Sequence, residues 1–177
     1  MILSSFPCLS PIDIGPISIG IAQLILELRE IPNCEVYPQR GVPELSMEIP
    51  SDLAEFYHLS GGAALFRGEP YSIEIVRPTQ FVRANPIIIR EDGEGDISFD
   101  WFIVARTEEQ YITIDLAPGR LGRCYDSFWD RHGVAGECQV VANSFESLLQ
   151  QLIKSRGGYW YWLEESFHKL GDAYDSA

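Results

Sequence analysis

The chain has 177 residues, with 13 basic against 26 acidic side chains and a formal charge of −13. That length fits one domain, able to bury roughly 70% of its unfolded surface without disulfide or metal staples, and a hydrophobic fraction of 46% excludes a disordered chain. The negative field disfavours nucleic acid and anionic membranes and favours basic partners, or else serves solubility alone.

The opening stretch MILSSFPCLSPIDIGPISIG is apolar but has no basic leader, and Pro7, Pro11, Asp13 and Pro16 interrupt it. Neither a signal peptide nor a membrane span fits, and the expected location is the cytoplasm. Residues 1–16 read as an irregular lead-in. Ile21, Leu24, Ile25 and Leu28 then recur at helical spacing, which predicts a helix over 17–30 stopped by Pro32. CEVY (34–37) reads as a short strand and PQRGVPELSMEIP as a loop.

A second helix follows, with Leu53, Phe56 and Tyr57 at i, i+3, i+4 and Asp52 and Glu55 in the first turn. Gly61 and Gly62 stand directly behind it. A phosphate loop needs the order strand, glycines, helix, because the helix N-terminus supplies the anion-binding amides. Here the order is helix, glycines, strand, so the pair is expected to cap the helix.

The period then changes to two. YSIEIV (71–76), ISFDWFIVA (97–105) and QYITIDL (110–116) read as strands, PIIIR (86–90) as a buried run, EDGEGD (91–96) as a turn, and RCYD and CQVV as shorter strands. ANSFESLLQQLIKSRGG returns to helix, with Asn143 or Ser144 as N-cap and an apolar stripe from Phe145 to Ile153. YWYWLEESFHKL predicts a last helix over 159–170. The sum is an α+β chain: one domain over 1–177, with a single antiparallel or mixed sheet of about six strands and terminal helices packed on it.

No constellation of catalytic type rises above a bland reading. Cys8, Cys34, Cys124 and Cys138 lack metal or redox spacing, and read as reduced core thiols. Cys124, His132 and Asp126 form a triad only on paper, since Cys124 sits in a strand and His132 reads as a solvated turn residue. His58 and His168 lack a second ligand at i+3 or i+4, and EDGEGD lacks the order of a calcium loop. Asp115, before APG, is expected to hold turn amides. No cofactor and no metal are expected.

IPSDLAEFYHLSGGAALF, FIVARTEEQYITIDLAPGRLGRCYD and VVANSFESLLQQLI, in that order, resemble the SUKH superfamily over residues 49–155. The residues carrying the likeness are Pro50, Phe56, Tyr57, Gly61, Gly62, Asp115, Gly122, Ser144 and Phe145. Ser60 stands where the family often has Asn. The superfamily includes a fungal cell-wall-assembly regulator and bacterial immunity proteins that bind and neutralise polymorphic toxin domains, often nucleases. The resemblance implies a non-catalytic protein binder: an immunity protein, or alternatively a regulatory or scaffold module, with a small hydrolase ranked last. The implied partner is a basic toxin domain. Glu91, Asp92, Glu94, Asp96 and Asp100 are the acids suited to meet it, five without an intervening base. They serve contact or merely solvate a loop. Asp126, Trp129 and Asp130 are further partner-binding candidates, with Trp129 either an interface anchor or a lid on the core.

Overall fold

The computed structural model describes residues 20–108 and 110–175. The lead-in 1–16, Cys8, residues 17–19 of the expected first helix and Glu109 lie outside them. Helix α1 (Ile21–Glu30) buries Ile21, Leu24, Ile25 and Leu28, the stripe its spacing predicts. Strand β1 (Glu35–Val36) leads through a loop to α2 (Ser51–Leu59), which buries Leu53, Phe56 and Tyr57.

Strands β2 (Ala63–Leu65), β3 (Ile73–Ile75), β4 (Trp101–Thr107), β5 (Gln110–Asp115), β6 (Cys124–Asp126) and β7 (Val140–Ala142) complete one seven-stranded sheet in chain order. Each strand pairs antiparallel with the next. The sheet therefore needs no crossover, and short turns suffice to connect β4, β5 and β6. Helix α4 (Phe145–Ser155) closes the core. Ser144 Oγ accepts from the Ser147 N–H at 3.1 Å, and Phe145, Leu148, Leu149, Leu152 and Ile153 are buried. Asp52 ties two helix starts together, its Oδ2 accepting the Glu146 N–H at 2.8 Å. Phe56 of α2 meets Phe145 of α4 at 5.0 Å between ring centroids.

The two sides of the sheet are covered differently. Tyr57 of α2 packs on Phe81, which stacks on Phe102, and Cys124 lies near the Ser144 carbonyl at the start of α4. That is the helix side. Alternation along each strand turns Trp101 and Tyr125 to the other side, where they stack at 4.3 Å. Loops roof this second side: His132 lies edge-on to Trp101 at 5.5 Å, and Ser127 bonds Thr113 at 2.7 Å.

Four local expectations are corrected. Gly61 and Gly62 do not wind off the helix. The cap is Ser60, extended, with its Oγ on the Phe56 carbonyl. The glycines instead let backbones close up. A Cβ at Gly61 would collide with the Pro38 carbonyl, and Gly62 has φ +108 with the Ile75 carbonyl 2.8 Å from where its Cβ would be. They join Tyr37 through reciprocal backbone hydrogen bonds, each 2.9 Å.

PIIIR is not a buried run. Pro86 starts a one-turn helix α3 (Asn85–Ile88) that turns Ile88 inward and leaves Ile87 and Ile89 exposed. ISFD is a 3-10 turn, Ile97–Asp100, because Asp96 caps it by accepting the Ser98 N–H at 2.8 Å. Finally, 159–170 forms only a 3-10 turn at Tyr161–Leu163. Tyr161 and Trp162 are adjacent yet both buried, with Tyr161 Oη on the Val141 carbonyl and Trp162 Nε1 on Asp126. Those tertiary anchors outweigh the helical spacing of Trp160, Leu163, Phe167 and Leu170.

Candidate partner-binding face

The acidic turn is held from below. Asn85, at the start of α3, donates from Nδ2 to the Asp92 carbonyl at 3.2 Å. Gly93 has φ +65 and presses on Asn85 so closely that a Cβ would collide with the amide. Glu91, Asp92, Glu94 and Asp96 are exposed, and Asp100 is half-buried, 3.4 Å from Arg83. Asp96 accepts from both the N–H and Oγ of Ser98, and the Tyr174 hydroxyl, shared with the Gly133 carbonyl, lies 3.4 Å away. Burial pushes its carboxyl up, but those hydrogen bonds outweigh it and hold the carboxyl below its ordinary value.

His132 is buried and not solvated. Its Nε2 lies 2.7 Å from Asn85 Oδ1, while Nδ1 has no partner among the described residues. Burial pushes its pKa down to about 4, against a smaller upward pull from Asp96. Tyr174 adds a second tie, donating to the Gly133 carbonyl at 2.8 Å while reaching Asp96. Neither Asn85 nor Tyr174 carries a sequence signal of this role. The Asn-Pro pair at 85–86 marks a turn and no more.

Trp129 stands 66% exposed, so it is no lid on the core. Asp130 beside it is exposed, 3.9 Å from Arg131. Asp126 belongs elsewhere: it is fully buried, taking hydrogen bonds from Arg131 and from Trp162 Nε1. Burial raises its pKa, with Arg131 the main opposing influence. It forms part of the interior and offers no surface to a partner. Asp115 is likewise fully buried. It accepts the Ala117 N–H at 2.8 Å, Trp101 Nε1 at 3.0 Å, Tyr125 Oη at 3.0 Å and Arg120 Nε at 2.7 Å. Gly122 follows in the same turn, its N–H on the Asp115 carbonyl.

The paper triad does not assemble. Cys124 faces the helices and His132 the loop side, and burial raises the Cys124 thiol well above its ordinary pKa. Cys34, Cys124 and Cys138 are free thiols. Among the described residues no cluster of three or more His, Cys, Asp or Glu could hold a metal ion, and no helix is long and apolar enough to cross a membrane.

Residues 43–151 match the model of the SMI1 / KNR4 family (SUKH-1). The chain is also 45% identical over 159 residues to the immunity protein YokJ of Bacillus subtilis (strain 168), an alignment covering 88% of this chain and 96% of that protein. A helix-backed antiparallel meander, the two glycines after α2 and the Ser144-capped α4 all fall within or beside the matched span, and the chain belongs to the SMI1 / KNR4 family (SUKH-1).

Proposed function

We propose that this protein is an immunity protein that neutralises a cognate bacterial toxin by binding its toxin domain, acting through capture and not through turnover. The observation that carries this reading is the 45% identity to an immunity protein across nearly the full length of both chains. The acidic face supplies the means. Glu91, Asp92, Glu94 and Asp96 are exposed on one turn, and complementary potential speeds capture of a basic domain such as a nuclease and disfavours unrelated partners. Trp129 adds an exposed aromatic of the kind that dominates binding energy at interfaces. The protein does this work in the cytoplasm, where a toxin of that kind meets its target.

The test is growth of cells producing candidate toxin domains with and without this chain. Rescue by the chain against one toxin, and not against unrelated ones, is the expected result. Absence of rescue from the toxin encoded beside the gene, and from the one that YokJ neutralises, would overturn the reading.

A further inference from the structure

Five exposed large apolar side chains, Val82, Ile87, Ile89, Trp129 and Val134, lie on two segments: 82–89, which pairs Arg83 with Phe102 at the edge of β4 before turning through α3, and 129–134, in the loop that carries His132 over the second side of the sheet. Exposed apolar residues scattered singly are ordinary, but a cluster rimmed by charge marks an interaction surface. Here Val82 and Ile87 line one groove, and Trp129 stands on the loop tied to the same region. The Asn85–His132 contact joins the two segments, with Ile87 two residues from one end and Trp129 three from the other. Between them stands the acidic turn, tied to Asn85 on one side and through Tyr174 to Gly133 on the other.

Beside Ile87 a groove of about 210 Å³ opens between Val76, Val82 and Ile87 and the sheet residues Ile103 and Tyr111. Its rim holds Arg106, which is committed to Glu74 at 3.1 Å. Arg83 is likewise engaged with Asp100, which leaves Arg90 as the exposed base next to the turn. Among the described residues Glu91, Asp92 and Glu94 form no ion pair. Three exposed carboxylates on one turn present a local negative potential that an incoming Lys or Arg complements.

We propose that the partner docks on this loop side, seating an apolar side chain in the Ile87 groove, its basic side chains against Glu91, Asp92 and Glu94, and a further apolar contact on Trp129. The proposal rests on the protein-binding reading above and names its surface and the chemistry of the partner: a polypeptide patch with an apolar centre ringed by Lys and Arg. Because the two segments are already joined by the buried Asn85–His132 hydrogen bond, part of the ordering cost of binding is already met.

The test uses the full chain and, as probe, the purified toxin domain that it rescues cells from, inactivated in its own active site. Binding is measured by calorimetry for the wild type, Ile87→Asp, Trp129→Ala and a control, Leu26→Asp, at an exposed position of α1. Ile87→Asp and Trp129→Ala each weaken binding about tenfold or more, and Leu26→Asp leaves it unchanged. All three replace exposed side chains, and retained thermal midpoints verify the fold. Rescue by the wild type with undiminished binding by Ile87→Asp and Trp129→Ala would overturn this docking face and leave the immunity reading standing. Rescue from no toxin at all would remove both. A free chain that sediments as a dimer, dissociated by Ile87→Asp, would assign the face to a second copy and overturn the proposal.

Discussion

His132 Nε2 lies 2.7 Å from Asn85 Oδ1, and this one buried contact joins the segment bearing the acidic turn to the segment bearing Trp129. Asn85 Nδ2 is committed to the Asp92 carbonyl, so Oδ1 is the acceptor and the imidazole donates from Nε2. That leaves Nδ1 as a buried lone pair with no donor among the described residues. Asn85→Ala would strand both the His132 N–H and the Asp92 carbonyl. The expected cost is about 1–3 kcal/mol in urea unfolding, with faster amide exchange at 91–96. Unchanged stability and exchange would show that packing alone holds the turn.

Acid should weaken the fold through the same histidine. Burial holds His132 near 4 instead of its ordinary 6.5, while Asp96 pulls the other way. Between those values the unfolded chain takes up a proton that the folded chain refuses. Stability is therefore full above about 6.5 and declines as pH falls toward 4, by on the order of 2–3 kcal/mol. Asp96 is shifted down, so its contribution is present at higher pH and is lost below about 4 as its carboxylate protonates. Denaturant midpoints at pH 7 and pH 4.5 span most of the His132 window and lie above that of Asp96, while the raised Asp126 carboxyl acts in the opposite direction. His132→Gln should flatten the difference, and an equally steep loss in that variant would place the titrating group elsewhere.

Asp115 is the costliest single carboxylate to remove. Asp115→Ala would leave Trp101 Nε1, Tyr125 Oη and Arg120 without their shared acceptor in the interior. Breaking a buried pair in this way costs about 3–5 kcal/mol. Thermal unfolding reads it directly, and a loss below about 1 kcal/mol would mean that water replaces the carboxylate.

Surface and interior acids should separate cleanly. The triple variant Glu91→Gln, Asp92→Asn, Glu94→Gln alters exposed groups that form no ion pair among the described residues, so each change should fall within about 0.5 kcal/mol of neutral. Its effect should appear as slower association with the toxin domain. Asp126→Ala should do the reverse, lowering stability by stranding Arg131 and Trp162. Loss of stability in the triple variant would give the acidic turn a structural role instead.

Periodicity made the core legible. The stripes of α1, α2 and α4 and the alternation of β4 and β5 follow from side chains meeting one apolar interior. Asp115 was readable as well, because an aspartate before a turn has amides within reach. What escaped the sequence depends on contacts far along the chain. Adjacent Tyr161 and Trp162 each find a separate buried partner, so helical spacing in 159–170 is overruled. Gly61 answers to Pro38 and not to its own helix. Asp126 and Trp129, three residues apart in one acidic-looking segment, take opposite fates because Arg131 and Trp162 draw the first inward. Asn85 and His132 are 47 residues apart, and nothing local marks either as the other's partner.

The measurement that tests capture by an acidic face most directly is the association rate of the purified chain with its inactivated toxin domain, followed by stopped flow between about 20 and 200 mM salt. The account predicts a stable complex whose association slows about tenfold or more across that range, with the Glu91/Asp92/Glu94 variant slower at low salt and less sensitive to it. Failure to form a complex, or a rate indifferent to both salt and the three carboxylates, would contradict it.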